Sequence, residues 1–258
     1  MAYSSGLVTV PLESHPFVVR LNRFLPSSGV DIDSLREVIE RERLIRKKRD
    51  IIVEGYECAE LYMVERGFAI AYKLLRTGKR QILDVVLPGE IIGLPGSFFE
   101  RPAYSVMSLT DMKLQVLKLT TLVDLCDRRP GLALSMLWLS AHQLAISAEH
   151  ISDVGRRTPL ERMAHFLLEL HARLLAVGCA TARTFEMPLS QELIGDLLGL
   201  SAPHVNRVLH QLRSEHLITT GSHSVTLEDP DQLQLLGQFQ LLKLKHIPIP
   251  ERRRRGLN

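Results

Sequence analysis

Pro188-Leu-Ser-Gln-Glu-Leu-Ile-Gly-Asp-Leu-Leu-Gly-Leu-Ser-Ala-Pro-His-Val-Asn-Arg-Val-Leu-His-Gln-Leu-Arg213 reads as two short helices joined by a tight turn. Ser190 stands just before an apolar-periodic run, where its hydroxyl can cap the free N–H groups of a starting helix. Leu193, Ile194 and Leu197 then fall on one face at helical spacing. Gly199 follows where a helix ends in the left-handed conformation, which glycine adopts without a Cβ clash. Leu200 is an apolar plug for the turn, and Ser201 caps the second helix. Val205, Val208, Leu209 and Leu212 form the buried side of that helix.

At about 100° per residue, Pro203, Arg207, His210 and Ser214 lie near the centre of the opposite face, flanked by His204 and Asn206. In a helix-turn-helix the first turns of the second helix contact base edges. The planar fork of Arg207 suits O6 and N7 of guanine, a pairing worth about 1–3 kcal/mol of discrimination. Asn206 suits a base edge or a phosphate. Ser190, Gln191 and Ser201 lie where helix starts approach phosphates, contacts that set register rather than sequence. The expected DNA-contacting set is therefore Ser190, Gln191, Ser201, Pro203, His204, Asn206, Arg207 and His210.

A plain helical hairpin inside a core carries the same caps and glycine. The residues beyond Arg213 separate the two possibilities. Leu217-Ile-Thr-Thr220 and Ser224-Val-Thr-Leu227 are short and β-prone, and Gly221-Ser-His223 lies between them, so they read as a hairpin wing. Asp229-Pro230 then starts a last helix running to about Lys243, with proline at its first position.

With this winged arrangement the chain resembles the Crp–Fnr superfamily of bacterial transcription regulators. The resemblance runs from about His15 to Leu236 and is strongest over Leu189–Ile218. Arg207 matches the base-reading arginine of the family. The family usually carries Glu two residues after the cap of its recognition helix, whereas this chain has Pro203. A cytosine-accepting carboxylate is therefore missing, and the usual half-site sequence is not implied. Pro203 itself is tolerated, because the first helical turn loses no hydrogen bond to it.

Upstream the pattern differs. His15–Leu25 and Asp31–Glu42 read as short helices. From about Arg49, the runs Ile51–Val53, Leu61–Val64, Ala69–Lys73, Ile82–Leu87, Val106–Leu109 and Leu114–Leu119 read as strands. Gly55, Gly67, Thr77-Gly78 and Pro88-Gly89 punctuate them. Many short strands suggest a jelly-roll or β-barrel sandwich, and the resemblance implies a double-stranded β-roll, cyclic-nucleotide-binding-like. From about Leu132 to Arg156 one long helix is expected. Its Leu134, Leu137, Ala141, Leu144, Ala148 and Ile151 step by threes and fours as a coiled-coil seam, which predicts a homodimer. Gly155-Arg-Arg-Thr158 is the hinge candidate, and Thr158-Pro-Leu-Glu161 is a capping box that starts a new helix.

The expected class is α+β: an N-terminal double-stranded β-roll (jelly-roll-like), a long dimerisation helix and a C-terminal winged helix-turn-helix domain. The corresponding divisions are an N-terminal tail 1–14, a sensor 15–125, the dimerisation helix and hinge 126–157, the DNA-binding domain 158–247 and a basic tail 248–258 holding Arg252–Arg255. In cAMP receptors of the family, a Gly-Glu-Leu element and an Arg-Ser pair hold the cyclic nucleotide. Here Gly93 matches, Leu94 replaces the ribose-binding Glu, and Pro102-Ala103 stands at the Arg-Ser pair, with Arg101 adjacent. A phosphate needs a cation or several N–H donors, so cAMP is disfavoured. Gly93, Arg101, Tyr104 and Ser105 remain the candidates for a different effector; a strand end and surface loop is the plain alternative.

The 258 residues suffice for two domains, and 45% hydrophobic content suffices for real cores. A formal net charge of +3 leaves placement, not bulk charge, as the argument for nucleic acid. Cys58, Cys126 and Cys179 are scattered. That pattern argues against a disulfide framework, a zinc site, or the clustered N-terminal cysteines of the family's iron–sulfur sensors, so no cofactor is expected and an iron–sulfur cluster is disfavoured. Cys58 is expected to be a buried structural thiol, with a redox sensor as the alternative. His165 and His171, like His204, His210 and His216, step by six rather than by the i, i+4 of helical metal pairs, and surface or interface positions are expected for them. Gly131–Ala148 approaches membrane-span length, but its serines, His142 and Gln143 argue against a membrane helix. No catalytic constellation is visible, so an enzyme is not expected. Double-stranded DNA, a second copy of the chain and RNA polymerase are the expected partners, in the cytoplasm, with no membrane. The rival reading is a constitutive DNA-binding regulator whose degenerate sensor takes no small molecule.

Overall fold

The computed structural model describes residues 11–24, 32–94 and 96–242. Pro16–Phe24 (α1) and Ile32–Val38 (α2) come first. Eight strands follow: Ile39–Ile45 (β1), Asp50–Ile52 (β2), Glu60–Arg66 (β3), Ala69–Leu74 (β4), Arg80–Val86 (β5), Ile91–Ile92 (β6), Ser105–Ser108 (β7) and Met112–Lys118 (β8). They form two antiparallel four-stranded sheets, ordered β1-β8-β3-β6 and β2-β7-β4-β5. Ile52, Tyr62, Val64, Ala71, Val106, Leu114 and Val116 are buried together between them. This is the β-roll that the resemblance implies; the strand pattern alone predicts a jelly-roll or barrel sandwich.

The helix expected over Asp31–Glu42 ends at Val38, and β1 begins at the next residue. Its run Ile39-Glu-Arg-Glu-Arg-Leu-Ile45 lies at a sheet edge. Charged side chains are tolerated there because only one face meets the core. Neighbouring strands neutralise them: Arg41 bonds Glu60, and Glu42 pairs with the buried Lys113 at 2.9 Å. No alternation marks such a strand in the sequence.

Leu119–Arg128 (α3) leads to Pro130–Arg156 (α4), 27 residues with proline in the first turn and about 40 Å long. Gly155 is helical. The change of direction falls at its far side, where Arg157 (ψ 147°) and Thr158 (ψ 158°) are extended. Pro159–Ala176 (α5) then opens with the expected capping box. The Thr158 hydroxyl accepts from the Glu161 N–H at 3.4 Å, and the Glu161 carboxylate accepts from the Thr158 N–H at 2.6 Å.

Thr184–Glu186 (β9), Gln191–Leu198 (α6), Ala202–Ser214 (α7), Ile218–Thr220 (β10), Ser224–Leu227 (β11) and Pro230–Gly237 (α8) complete the chain. The wing is three-stranded, ordered β10-β11-β9; β9 is too short to signal itself. The last helix stops at Gly237, short of Lys243, because Gln238 takes the left-handed conformation (φ +49°), and the helix end packs closely on α5. A Cβ on Gly237 would lie 2.6 Å from the His165 nitrogen. His165 and His171 are buried rather than superficial, bonded to the carbonyls of Gly237 (3.0 Å) and Thr181 (2.9 Å). Arg252–Arg255 and residues 1–10 lie outside the described residues.

Apolar packing joins the two halves. Phe68, Ile70, Ile82, Val85 and Leu87 of the roll share a buried cluster with Met163, Leu167 and Leu174 of α5 and Ile194 and Leu197 of α6.

Candidate nucleic-acid interface and sensor cavity

Local chemistry builds the helix-turn-helix. Ser190 is the N-cap of α6 and accepts from the Leu193 N–H at 3.3 Å. Gly199 ends the helix at φ +68°, in the left-handed region. Gly195 has a separate role. A Cβ there would come within 2.5 Å of the Leu200 carbonyl oxygen, so the turn folds back onto α6 only over a bare glycine. Ile194, Leu197 and Leu198 of α6 meet Val205, Val208, Leu209 and Leu212 of α7 in the core.

That packing turns the other side of α7 outward. Pro203, Asn206, Arg207 and His210 are exposed, and His204 is half-buried. Ser190, Gln191 and Ser201 are exposed beside them. The Asn206 amide donates to the Gln191 side-chain oxygen at 3.3 Å, tying the two helices together on this face. Ser201 occupies the cap position of α7, yet its hydroxyl makes no capping bond. Pro203 has no N–H to give, and the His204 N–H already donates to the Ser201 carbonyl at 2.9 Å.

The expected dimer seam lies on one exposed stripe of α4. Leu137, Ala141, Leu144, Ala148 and Ile151 face outward and Leu134 is half-buried, whereas Ser135, Leu139, Ile146 and Asp153 are buried against the rest of the chain. This helix is long and apolar enough, by length and composition alone, to cross a membrane. Its polar side chains include Ser135, Ser140, Ser147 and the buried Asp153.

A cavity of about 460 Å³ lies between the roll and α4. Gly93 and Tyr104 line it; Arg101 and Ser105 do not. Arg101 is exposed, and the Ser105 hydroxyl accepts from the Glu54 N–H at 3.0 Å. Leu83, Val86, Ile91, Ile92, Leu94 and Leu139 give the cavity an apolar wall. Among the described residues its one lining cation is Arg20, already paired with Glu90 at 2.8 Å. A cyclic phosphate finds no uncommitted positive charge among them, so these residues do not fit cAMP.

Two carboxylates lining the cavity, Asp84 and Glu90, belong to a buried ionic network that sequence reasoning missed. Arg173 of α5 reaches Asp84 (2.9 Å), Glu90 (2.9 Å), Glu169 (2.8 Å) and the Val85 carbonyl (2.9 Å). Three carboxylates around it hold its guanidinium charged although burial opposes that charge. His150 of α4 bonds Glu169 at 2.8 Å and the Leu83 carbonyl at 3.2 Å. Burial opposes its charge, but the bond to and charge of Glu169 raise it to about 9. Burial likewise opposes the Glu169 charge, and His150 with Arg173 brings that carboxyl down to about 2. His142, beside Arg20 at 3.2 Å, is held near 4 by burial, Arg20 and Arg173. Asp84, His150 and Glu169 have ligand atoms within 4.8 Å of one another. Arg173 is bonded to both carboxylates, and His150 to Glu169. Glu169 and Arg173, four apart on the apolar face of α5, were the available signal. Cys58 is half-buried, its thiol donating to the Glu60 carbonyl at 3.3 Å, and burial pushes its pKa up.

Known proteins share both halves. Residues 161–236 match the family model of the Crp-like helix-turn-helix domain, and residues 42–129 match that of the cyclic nucleotide-binding domain. The transcriptional activator protein Anr of Pseudomonas aeruginosa is 28% identical over 211 residues, covering 82% of this chain and 86% of that protein. The transcriptional activatory protein AadR of Rhodopseudomonas palustris is 29% identical over 191 residues, covering 74% and 78%. The solved structure of FixK2 from Bradyrhizobium japonicum aligns with a TM-score of 0.69 at 29% identity, over 76% of this chain and 96% of that one.

Proposed function

We propose, from the premise that this chain belongs to the Crp–Fnr superfamily of DNA-binding transcription regulators, that it binds a near-palindromic operator as a homodimer in the bacterial cytoplasm. The observation that carries this reading is the outward face of α7: Arg207 stands exposed on a helix whose other side is locked into the core. Arg207 reads guanine, Asn206 a neighbouring base edge or phosphate, and Ser190, Gln191 and Ser201 hold the backbone. Pro203, His204 and His210 complete the contact surface. The α4 stripe from Leu134 to Ile151 pairs two copies, placing half-sites roughly 34–36 Å apart. Residues 15–125 act as the sensor, 126–157 as helix and joint, and 158–247 as the DNA reader. RNA polymerase is the further partner, and no catalytic role is assigned.

Selection of bound duplexes from a random pool tests this. A symmetric motif with guanine opposite Arg207 is expected; equal affinity for every duplex overturns the reading. A second reading has its own support. The charges lining the cavity are already paired and Arg101 points elsewhere, which favours a regulator that binds DNA without a small-molecule effector.

A further inference from the structure

We propose that Arg173 and Arg80 are positioning residues: they fix the helix-turn-helix at one orientation on its own β-roll and thereby set the half-site spacing the dimer reads. The inference rests on the DNA-reading function above and adds what holds the reader's angle. Apolar burial between roll and reader is strong but non-directional; it permits sliding and rotation. Guanidinium–carboxylate forks are directional, because their bonds are fixed in plane and length. Two such forks cross this contact at separate places.

The first is on α5. Arg173 bonds Glu169 of its own helix, and its other partners, Asp84, Val85 and Glu90, all belong to the roll. With a side chain only 7% exposed, it has little competition from water. The second is on α6. Arg80, at the start of β5, donates from Nε (2.9 Å) and Nη2 (2.8 Å) to the one Asp196 oxygen Oδ2, and the neighbouring Gln81 amide donates to the Leu197 carbonyl at 3.3 Å. A body tied at one point can turn about it in any direction; tied at α5 and at α6, it keeps only rotation about the line between them, which the apolar contact of roll, α5 and α6 opposes. Helix α6 hands its orientation to α7 through the Gly195–Leu200 contact, so the two forks act on Arg207 without touching DNA. Asp84 and Glu90 also line the cavity. Whatever changes that space acts on the same carboxylates that hold Arg173.

The full-length chain tests this with duplexes carrying two copies of the selected half-site, moved apart in single base-pair steps, alongside a lone half-site. The wild type is expected to show one sharp spacing optimum. In Arg80→Ala, and in Arg173→Met combined with Asp84→Asn, the preference for the optimum over neighbouring spacings is expected to fall by about tenfold, the size of one lost charge-assisted bond. Affinity for the lone half-site stays the same. The charge swap Arg80→Asp with Asp196→Arg restores the optimum. Arg80 and Asp196 are partly exposed, so their variants fold even where the buried pair does not. A purely structural role lowers affinity equally at every spacing. That uniform loss, or an unchanged spacing profile in Arg80→Ala, overturns the proposal. A wild type that selects no half-site instead sinks the DNA reading itself, and this inference with it.

Discussion

Ile146 and Leu144 sit two residues apart on α4 in opposite surroundings: Ile146 is 4% exposed and Leu144 71%. The same helix therefore has an inner face bound to its own chain and an outer apolar stripe that includes Ile151, 75% exposed. Leaving such a stripe in water forfeits the stabilisation of burying it, about 1.5–3 kcal/mol per large side chain. A second α4 lying along it removes that loss.

Replacing Leu144 and Ile151 together by Asp is expected to yield a folded monomer, since neither side chain supports the inner face. Sedimentation should show the change of mass. Operator affinity should fall by roughly 100-fold or more, because two half-site contacts no longer reinforce each other. A variant that sediments as a dimer contradicts the assigned seam.

Arg207→Ala should remove about 1–3 kcal/mol of discrimination at one base pair of each half-site. The guanine and adenine versions of that position should then bind alike in a gel-shift titration, while the melting temperature stays put. An unaltered preference means another residue reads that base.

Gly195→Ala adds a Cβ 2.5 Å from the Leu200 oxygen. The turn has to open to admit it, and overpacking of this kind costs roughly 1–3 kcal/mol. Calorimetry is the check, with DNA binding expected to weaken in parallel. Alanine in a helix is otherwise favourable, so a stabilised variant would show that the turn has slack.

The His150–Glu169 pair makes stability depend on pH. His150 titrates at about 9 when folded, above its ordinary 6.5. Its contribution is complete below 6.5 and is lost as pH rises through 9. Glu169 titrates at about 2, below its ordinary 4.5, so its contribution is complete above 4.5 and is lost as pH falls through 2. The pair is thus fully effective between 4.5 and 6.5. The alkaline loss is on the order of 3 kcal/mol at most. Urea midpoints measured from about pH 6 to about pH 10 should decline, and His150→Gln should flatten that decline.

Much of the reader was legible because its determinants are local. Ser190 and Thr158 announce helix starts through bonds that span three residues, and Gly199 announces a stop through its own backbone angle. The buried and exposed faces of α7 follow from the helical period of about 3.6 residues. The strands Ala69–Leu74 and Arg80–Val86 were visible as short β-prone runs between glycine-bearing turns. By contrast, β1 is a charged edge strand, β6 has two residues, and β9 has three; none is long enough, or alternates enough, to mark itself. The effector candidates divided for a related reason. Gly93 and Tyr104 reach the cavity, while Arg101 does not, because loop geometry and not sequence adjacency decides which way a side chain turns.

The sequence by itself determined the order of the parts, the caps and turn of the helix-turn-helix, the stripe on α4, and Arg207 at the centre of the outward face. These depend on contacts within a few residues, where the chain's own geometry limits the choices. Only the tertiary structure decided that the reader rests on the roll, that Arg173 meets Asp84 and Glu90 more than 80 positions away in the chain, and that His165 and His171 are interior. Such pairings cross much of the sequence and obey no period. They arise when apolar burial brings distant charges together in a place too dry to leave them unpaired.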